Sequence, residues 1–327
     1  MWGEWGVQLF FVLSGFLITG ILLKGRKPEH DWSHSKRQLR QFYVRRSLRI
    51  FPLFYLVLLL TALANIVPVR ETLPWHMTYL SNVYFALKGS WAGPVSHFWS
   101  LAVEEQFYLC WPFLMLFLPS RYLLRSILAA IVLAQLYKII GFMLGFNSIA
   151  LRVITLSCLD ALGIGALLAF SKYKNLEQFY KLGNSKAYNG LGLVLFFVWL
   201  GGSLTRPHPY LIGVIYNLIT LTLFAWLIHQ ASIGFEGPVK QVLETKPIIY
   251  LGKISYGLYI YHNFMPFLVA MILRRLHMSS PQHKTSQFLL SATATILVAS
   301  CSWLLVERPI NDLKNRFDYD NVQKNQK

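Results

Sequence analysis

Residues 7–23 read VQLFFVLSGFLITGILL, an uninterrupted run of uncharged and mostly apolar side chains. This length approaches the ~20 residues that an α-helix needs to cross the ~30 Å hydrocarbon core of a bilayer. Eight further stretches have the same character, four of them with one or two ionisable side chains: residues 50–67, 98–118, 126–146, 153–170, 187–204, 210–228, 248–273 and 286–306. The sequence therefore predicts an all-α polytopic integral membrane protein with about nine transmembrane helices.

The composition excludes the main soluble classes. The 327 residues are 55% hydrophobic and only 14% charged, and the mean hydropathy is +0.44. Soluble globular proteins carry about 25% charged residues, and a soluble domain of this size has too few interior positions for so much apolar surface. The three cysteines lie in predicted spans without metal-ligand spacing, so no metal is expected.

The net charge of +17 follows the predicted membrane topology. If the loop of residues 24–49 is cytoplasmic, 22 Lys and Arg residues fall on its side of the membrane and 7 on the other, with Lys138 and Lys253 inside spans. This is the positive-inside pattern. It predicts a cytoplasmic C-terminus and a lipid bilayer partner, and it makes nucleic acid an unexpected partner. Residues 1–310 are interpreted as the transmembrane domain and residues 311–327 as a polar cytoplasmic tail.

Two adjacent acids, Glu104 and Glu105, stand inside the third predicted span. A carboxylate in hydrocarbon costs about 2.5 kcal/mol or more, so it normally faces a cavity or a partner and marks function. Neighbouring residues are roughly 100° apart on a helix, so one acid can face a site while the other pairs. The alternative is that both acids lie at the membrane interface within reach of water.

Two more ionisable residues, Asp160 and His262, lie in later spans at a similar depth. At 1.5 Å per residue, Glu104, Asp160 and His262 all come out roughly 10 Å below the outer face, which favours one shared polar site. Pairing remains open for Asp160, with the candidate partners Lys253, Lys138 and Arg152.

Ser255, Tyr259 and His262 share one helical stripe by three-four spacing. A row of hydroxyls and an imidazole suits proton handling or the binding of a polar substrate. The alternative for His262 is an interhelical hydrogen bond without a catalytic role.

Arg45, Arg46 and Arg49 stand at the cytoplasmic mouth of the second span. Guanidinium groups grouped within one turn can bind phosphate bidentately, which favours a phosphate-rich ligand. On spacing alone, the stronger alternative is a positive-inside anchor bound to lipid headgroups.

Five stretches resemble, in order, the acyltransferase 3 family of membrane O-acyltransferases: residues 6–18, 45–54, 98–112, 254–262 and 306–309. The resemblance extends over nearly the whole chain, from Gly6 to about Ile310. It implies a fold of about ten helices in the bacterial cytoplasmic membrane. It also implies transfer of an acyl group, usually acetyl, from cytoplasmic acyl-CoA (acetyl-CoA) to a hydroxyl of a cell-surface or secreted glycan or a lipid-linked saccharide.

The resemblance also implies roles for individual residues. Arg46 and Arg49, with help from Arg45, are expected to contact the acyl-CoA phosphates, and Glu105 is expected in the central site. The resemblance further implies that Trp99 and Tyr108 lie with Glu105, and that Ser255, Tyr256 and His262 line the same cavity. Together with the residues chosen above from spacing and depth, the predicted catalytic residues are Glu104, Glu105 and His262, the acyl-CoA ligands are Arg45, Arg46 and Arg49, and the substrate-cavity residues are Trp99, Tyr108, Asp160, Ser255, Tyr256 and Tyr259.

The family pattern normally includes one more helix before these motifs, with an Arg-Gly segment and a His that is taken as the catalytic base. This sequence starts just after the corresponding position, so the base is expected upstream of Met1. His30 and His34, in a charged loop, are not expected to replace it.

Two other hypotheses stay open beside the acyltransferase. A transporter or flippase also uses intramembrane ionisable groups as proton relays, and it predicts inverted repeats and broken helices in matching halves. The third hypothesis is a catalytically incomplete membrane scaffold.

Overall fold

The computed structural model describes residues 2–26, 31–64, 69–205, 210–278 and 283–314, which form helices and turns without a strand. This confirms the predicted all-α class. The helices are α1 (Trp2–Lys24), α2 (Trp32–Leu63), α3 (Val69–Met77), α4 (Ser81–Lys88), a 3₁₀ turn (Gly93–Phe98), α5 (Trp99–Phe117), α6 (Ser120–Met143), α7 (Ala150–Val153), α8 (Thr155–Lys174), α9 (Leu176–Gly183), α10 (Lys186–Thr205), α11 (Tyr210–Ile233), α12 (Gly237–Leu243), α13 (Lys246–Lys253), α14 (Ser255–Tyr261), α15 (Met265–Arg275), α16 (Lys284–Ser302), a π-helical stretch (Trp303–Glu307) and α17 (Arg308–Asp312).

Six helical segments among the described residues are long and apolar enough to cross a membrane: Gly3–Lys24, Trp32–Leu63, Ser120–Met143, Ala150–Lys174, Gly213–Ile233 and Lys284–Asp312. A seventh arises if α14 and α15, which meet at a 62° bend, form one broken span. The described parts of the nine predicted stretches are largely helical, with the stretch 248–273 divided over α13, α14 and α15. The helices α5 and α10 do not meet this criterion, so the count of nine is not confirmed. In α5 the run from Glu104 to Gln106 lowers the hydropathy.

The chain forms two compact units, each assembled from three separate stretches. Unit 1 contains Met1–Leu39, Phe85–Ser90 and Ser100–Glu236, and unit 2 contains Arg40–Tyr84, Trp91–Trp99 and Gly237–Lys327. The segment 311–327, predicted as a polar tail, begins inside α17, and residues 315–327 lie outside the described part of the chain.

In unit 1, α1 and α8 approach each other through glycine. A Cβ atom built on Gly15 would lie 2.0 Å from the Leu162 carbonyl oxygen, and one on Gly165 would lie 1.9 Å from the Val12 carbonyl oxygen. Contacts this short leave room only for hydrogen. Small residues of this kind let membrane helices pack backbone against backbone.

The end of α5 in unit 1 is capped by the Arg26 side chain. Its Nη1 donates to the Met115 carbonyl oxygen at 2.6 Å, and its Nη2 donates to the Leu118 carbonyl oxygen. Because the last carbonyls of a helix lack intrahelical donors and carry partial negative charge, a guanidinium here satisfies them.

The core of unit 2 is aromatic. The Phe54 ring stacks on Tyr79 with centroids 4.7 Å apart and meets Phe98 edge-on at 5.2 Å, and Phe98 in turn contacts Phe264. The basic segment from Lys36 continues without a break into the second span, as predicted, so α2 carries its arginines rigidly up to Pro52.

Candidate active site

The predicted phosphate ligands lie on one turn of α2 in unit 2. Arg45 and Arg46 are half-buried, Arg49 is exposed, and the Arg46 guanidinium lies 5.9 Å from the centre of the Phe42 ring. Directly after them, the Ile50 carbonyl oxygen accepts a hydrogen bond from the Tyr256 hydroxyl at 2.8 Å. The predicted cavity residue Tyr256 therefore ties the start of α14 to the arginine turn.

His262 lies at the break between α14 and α15. In a continuous helix the Tyr259 and Ile260 carbonyls would accept from the backbone N–H groups four residues later. Here the Phe264 N–H bonds instead to the Tyr261 carbonyl. His262 Nδ1 lies 2.7 Å from the Tyr259 carbonyl oxygen, so the imidazole supplies a hydrogen bond that the break removes.

The His97 imidazole contacts the next carbonyl at the break, that of Ile260. Its Nε2 lies 3.2 Å from the Ile260 carbonyl oxygen and its Nδ1 lies 2.9 Å from that of Pro94. Burial lowers the pKa of His97 to about 3, with the nearby His262 acting in the same direction. The ring is therefore neutral at physiological pH, and it donates its single N–H to one of the two carbonyls at a time.

The two imidazoles belong to one cluster with Tyr259. The His97 and His262 ring centroids are 4.9 Å apart, and the Tyr259 hydroxyl donates to the His97 carbonyl oxygen at 2.5 Å. The Asn263 amide donates to the Pro94 carbonyl oxygen at 2.8 Å. The structure thus brings Tyr259 and His262 together, as their spacing predicts, and adds His97 and Asn263, which sequence reasoning did not select as site residues.

The chemistry of the His262 ring follows from this contact. A carbonyl oxygen can only accept, so Nδ1 carries the proton, and in the neutral ring Nε2 is the nitrogen that can accept one. The side chain is exposed in the structure. The arrangement can therefore take a proton from a hydroxyl group that reaches Nε2.

The other two predicted cavity residues of unit 2, Ser255 and Trp99, lie on different helices. Ser255 is exposed at the first position of α14, and Trp99 begins α5 with its ring centroid 6.5 Å from that of Trp91. Their membership of a substrate cavity stays a prediction.

In unit 1, the two adjacent acids of α5 have different surroundings. Glu104 is buried and accepts hydrogen bonds from Ser14 Oγ at 2.7 Å and from the Tyr108 hydroxyl. One helical turn further, Trp111 Nε1 donates to Thr19 Oγ1 at 2.8 Å. The face that contains Glu104 and Tyr108 therefore packs on α1, whereas Glu105, on the neighbouring face, is half-buried.

Asp160 is the centre of a separate polar network in unit 1. Lys138 Nζ lies 2.5 Å from Asp160 Oδ2, so Lys138 is the partner among the three considered. Gln135 and Asn217 donate to the same oxygen at 2.9 and 3.0 Å, and Gln8 donates to Asn217 Oδ1 at 2.6 Å. Glu104 and Asp160 thus have different hydrogen-bond partners within this unit.

In the predicted loop, His34 Nε2 lies 2.8 Å from the Gly25 carbonyl oxygen. His30 falls outside the described residues. Within the described ranges, no group of three or more His, Cys, Asp or Glu side chains could hold a metal ion.

The comparisons with known proteins bear on these motifs. The model of the acyltransferase 3 family, described as an acyltransferase domain, matches residues 1–307. The chain belongs to the acyltransferase 3 family. Membership confirms the resemblance and the predicted enzyme class, and together with the six candidate spans it identifies a multi-pass membrane protein.

Two relatives of this acyltransferase domain are named as O-acetyltransferases. It is 27% identical to the peptidoglycan O-acetyltransferase OatA of Listeria monocytogenes over 95% of this chain and 51% of that protein. It is 28% identical to the O-acetyltransferase OatA of Staphylococcus aureus over 94% of this chain and 52% of that protein. The chain thus spans about half the length of these relatives. No solved structure matches it significantly.

Proposed function

We propose that the protein transfers an acyl group, usually acetyl, from acyl-CoA to a hydroxyl group of a cell-surface glycan, with peptidoglycan as the first acceptor to test. Family membership supports the reaction class, and the name of the Listeria relative supports the acceptor. The proposed location is the bacterial cytoplasmic membrane with a cytoplasmic C-terminus, which the distribution of Lys and Arg favours.

One observation carries the proposal. Within unit 2, α14 connects the arginine turn to the imidazole cluster, because Tyr256 bonds to the residue after Arg49 and His262 follows six residues later. At 1.5 Å per residue this separation is roughly 9 Å along the helix. Phosphate ligands and a proton acceptor at opposite ends of a short helix suit a donor with a charged nucleotide end and a reactive thioester end.

The roles of the residues follow from the chemistry of transfer. The acceptor hydroxyl oxygen attacks the thioester carbonyl carbon, the new C–O bond forms, the C–S bond breaks, and CoA leaves as a thiol after proton uptake. His262 assists removal of the hydroxyl proton through Nε2. Arg45, Arg46 and Arg49 bind the phosphates, and Glu105 orients the base or the acceptor.

The first test is mass spectrometry of peptidoglycan and other surface glycans from cells with and without the gene of the full protein. We expect alkali-labile acetyl esters that disappear in the deletion strain and return with the wild-type gene. Unchanged acetylation of every glycan would refute the proposal. Isotopically labelled acetyl separates transfer from transport. Transfer places the label in a covalent bond to the acceptor, whereas transport moves free solute across the membrane.

The second test concerns the donor. Removing one charged hydrogen bond to phosphate costs about 1.5–3 kcal/mol, so Arg46→Ala or Arg49→Ala should raise KM for acyl-CoA at least about tenfold. Arg125→Ala is the matched control, because Arg125 is an exposed arginine on α6, on the same predicted side of the membrane. Equal KM values for all three variants and the wild type would contradict the assignment of the arginine turn.

A further inference from the structure

The last described residue, Lys314, lies beside the arginine turn of α2. Arg45 Nη1 is 3.4 Å from the Lys314 carbonyl oxygen, although the two residues are separated by 269 positions in the sequence. Lys314 is half-buried, two residues beyond the end of α17. Its backbone is thus held against the turn that carries the predicted phosphate ligands.

The π-helical stretch Trp303–Glu307 helps to hold α17 in this place. Its last residue, Glu307, is buried, accepts from Ser302 Oγ at 3.3 Å, and interacts electrostatically with Arg49. A Cβ atom on Gly257 would lie 3.0 Å from Glu307 Oε1, so the absence of a side chain there makes room for the carboxylate. Local π-helical turns often occur at functional sites.

The charges that act on the Lys314 ammonium come from the arginine turn. Burial first, and then the positive charges of Arg49, Arg46 and Arg45, together lower the pKa of Lys314 to about 8. Like charges brought together in a partly buried place repel each other, and a bound anion relieves both the repulsion and the desolvation. Four cations close to one another, with the Glu307 carboxylate beside Arg49, favour an anionic ligand.

We propose that Lys314, two residues beyond the end of α17, is a fourth cationic ligand of the donor phosphates in the acyl-CoA site. This inference rests on the proposed function. A 3′-phosphate and a pyrophosphate offer separate groups of oxygens, and an ammonium on a flexible stem can reach one group while the planar guanidiniums bind another. Lipid headgroups also carry phosphate, so CoA and lipid are the two ligands that the test must distinguish.

The test is CoA binding to the purified full protein in nanodiscs of neutral phosphatidylcholine, measured by isothermal titration calorimetry. Lys314→Gln should weaken CoA binding about tenfold or more, as expected for a charge-assisted hydrogen bond, and Lys314→Arg should restore most of it. Lys181→Gln is the matched control: it removes an exposed lysine of α9 on the same predicted side and should bind CoA like the wild type.

The outcomes separate the two levels of the proposal. A wild-type protein that binds no CoA would refute the proposed function itself. Wild-type CoA affinity in Lys314→Gln, with affinity lost in Arg46→Ala, would refute only the role of Lys314. A second arm uses nanodiscs with anionic phosphatidylglycerol and counts retained lipids by native mass spectrometry. If Lys314→Gln reduces lipid retention without changing CoA binding, the ammonium binds a lipid headgroup and the proposal is wrong.

Discussion

Lys138 Nζ lies 2.5 Å from Asp160 Oδ2, and the two side chains keep only 14% and 3% of their accessible surface. Gln135 and Asn217 donate to the same carboxylate oxygen, and the Ala161 backbone N–H donates to the other. An intramembrane acid with this many donors is satisfied by the protein itself. The network joins α6, α8 and α11, which favours a structural role over the predicted role in a substrate cavity.

The first prediction concerns this ion pair. Asp160→Leu leaves the Lys138 ammonium buried without its counter-charge, which costs about 3–5 kcal/mol, whereas replacing both partners by apolar residues is often close to neutral. We therefore expect a large fall in unfolding temperature for Asp160→Leu and recovery in the Lys138→Met/Asp160→Leu double variant, both measured in detergent. Lys88→Met removes an exposed lysine of α4 as the control. Wild-type stability of Asp160→Leu would show that the pair is dispensable.

The second prediction concerns the contact between α1 and α8. Gly15→Ala places a methyl group 2.0 Å from the Leu162 carbonyl oxygen, so the two backbones must separate. The same substitution at Gly20 meets its nearest neighbour, the Ala169 Cβ, at an ordinary 4.0 Å. We expect Gly15→Ala to destabilise the protein by about 1–3 kcal/mol, in the range of overpacked cores, and Gly20→Ala to leave it near the wild type. Equal thermal stability of the two variants would contradict the observed helix contact.

The third prediction uses pH. The pKa of His97 is lowered by burial to about 3, from 6.5, so below pH 6.5 the unfolded chain binds a proton that the folded protein does not. Folding stability should therefore fall as pH drops from about 6.5 toward 4, with a slope approaching 1.4 kcal/mol per pH unit for one proton. His97→Gln keeps an N–H donor and should make the slope shallower. Burial also lowers the pKa of His76, to about 4, so His76 retains part of the slope in this variant. An unchanged slope in the variant would refute the neutral state of His97.

The fourth prediction separates the two functions of His262. Glutamine can still donate to the Tyr259 carbonyl oxygen but cannot act as a base near neutral pH. His262→Gln should therefore unfold near the wild-type temperature while kcat falls by about 10²–10⁴, the range for general acid–base groups. His262→Leu should lose both stability and turnover. Full activity of the glutamine variant would mean that the ring only caps α14.

The fifth prediction concerns the pH dependence of donor binding. Lys314 has a lowered pKa of about 8 in the free protein because of burial and the positive charges of Arg49, Arg46 and Arg45. A bound phosphate favours the protonated ammonium and raises this pKa, so CoA affinity should decrease as pH rises above about 8. Lys314→Arg stays charged throughout and should remove this decrease. Titration calorimetry between pH 7 and 9 measures both, and parallel curves would count against the contact.

Hydropathy and charge are sufficient to predict the helical class, the approximate positions of the long apolar helices and the continuity of the basic segment with α2, but not the short helices between them, such as α3, α4 and α9. The separation of Glu104 from Glu105 also followed from helical periodicity. The partner of Asp160 was limited to three residues, but periodicity does not say which helix lies next to α8. The break after Tyr261 has a local signal in Pro266, which lacks an N–H and disfavours helical geometry before it.

The role of His97 could not be predicted in the same way. Its partner is the backbone carbonyl of Ile260, 163 positions away, and a carbonyl is present at every residue. Only the loss of hydrogen bonds at the helix break makes this carbonyl a target. Composition places Lys314 in a polar tail, because it does not reveal that the Lys314 backbone contacts Arg45.

The interrupted order of the two units in the sequence has a consequence for biosynthesis. Every stretch of unit 1 has been synthesised once Glu236 is added, whereas unit 2 needs its third stretch, Gly237–Lys327, and with it the Ile260 partner of His97 and the Lys314 partner of Arg45. Arg45 and His97 are synthesised 269 and 163 residues before these partners. The arginine turn and the imidazole cluster are therefore completed later in synthesis than unit 1.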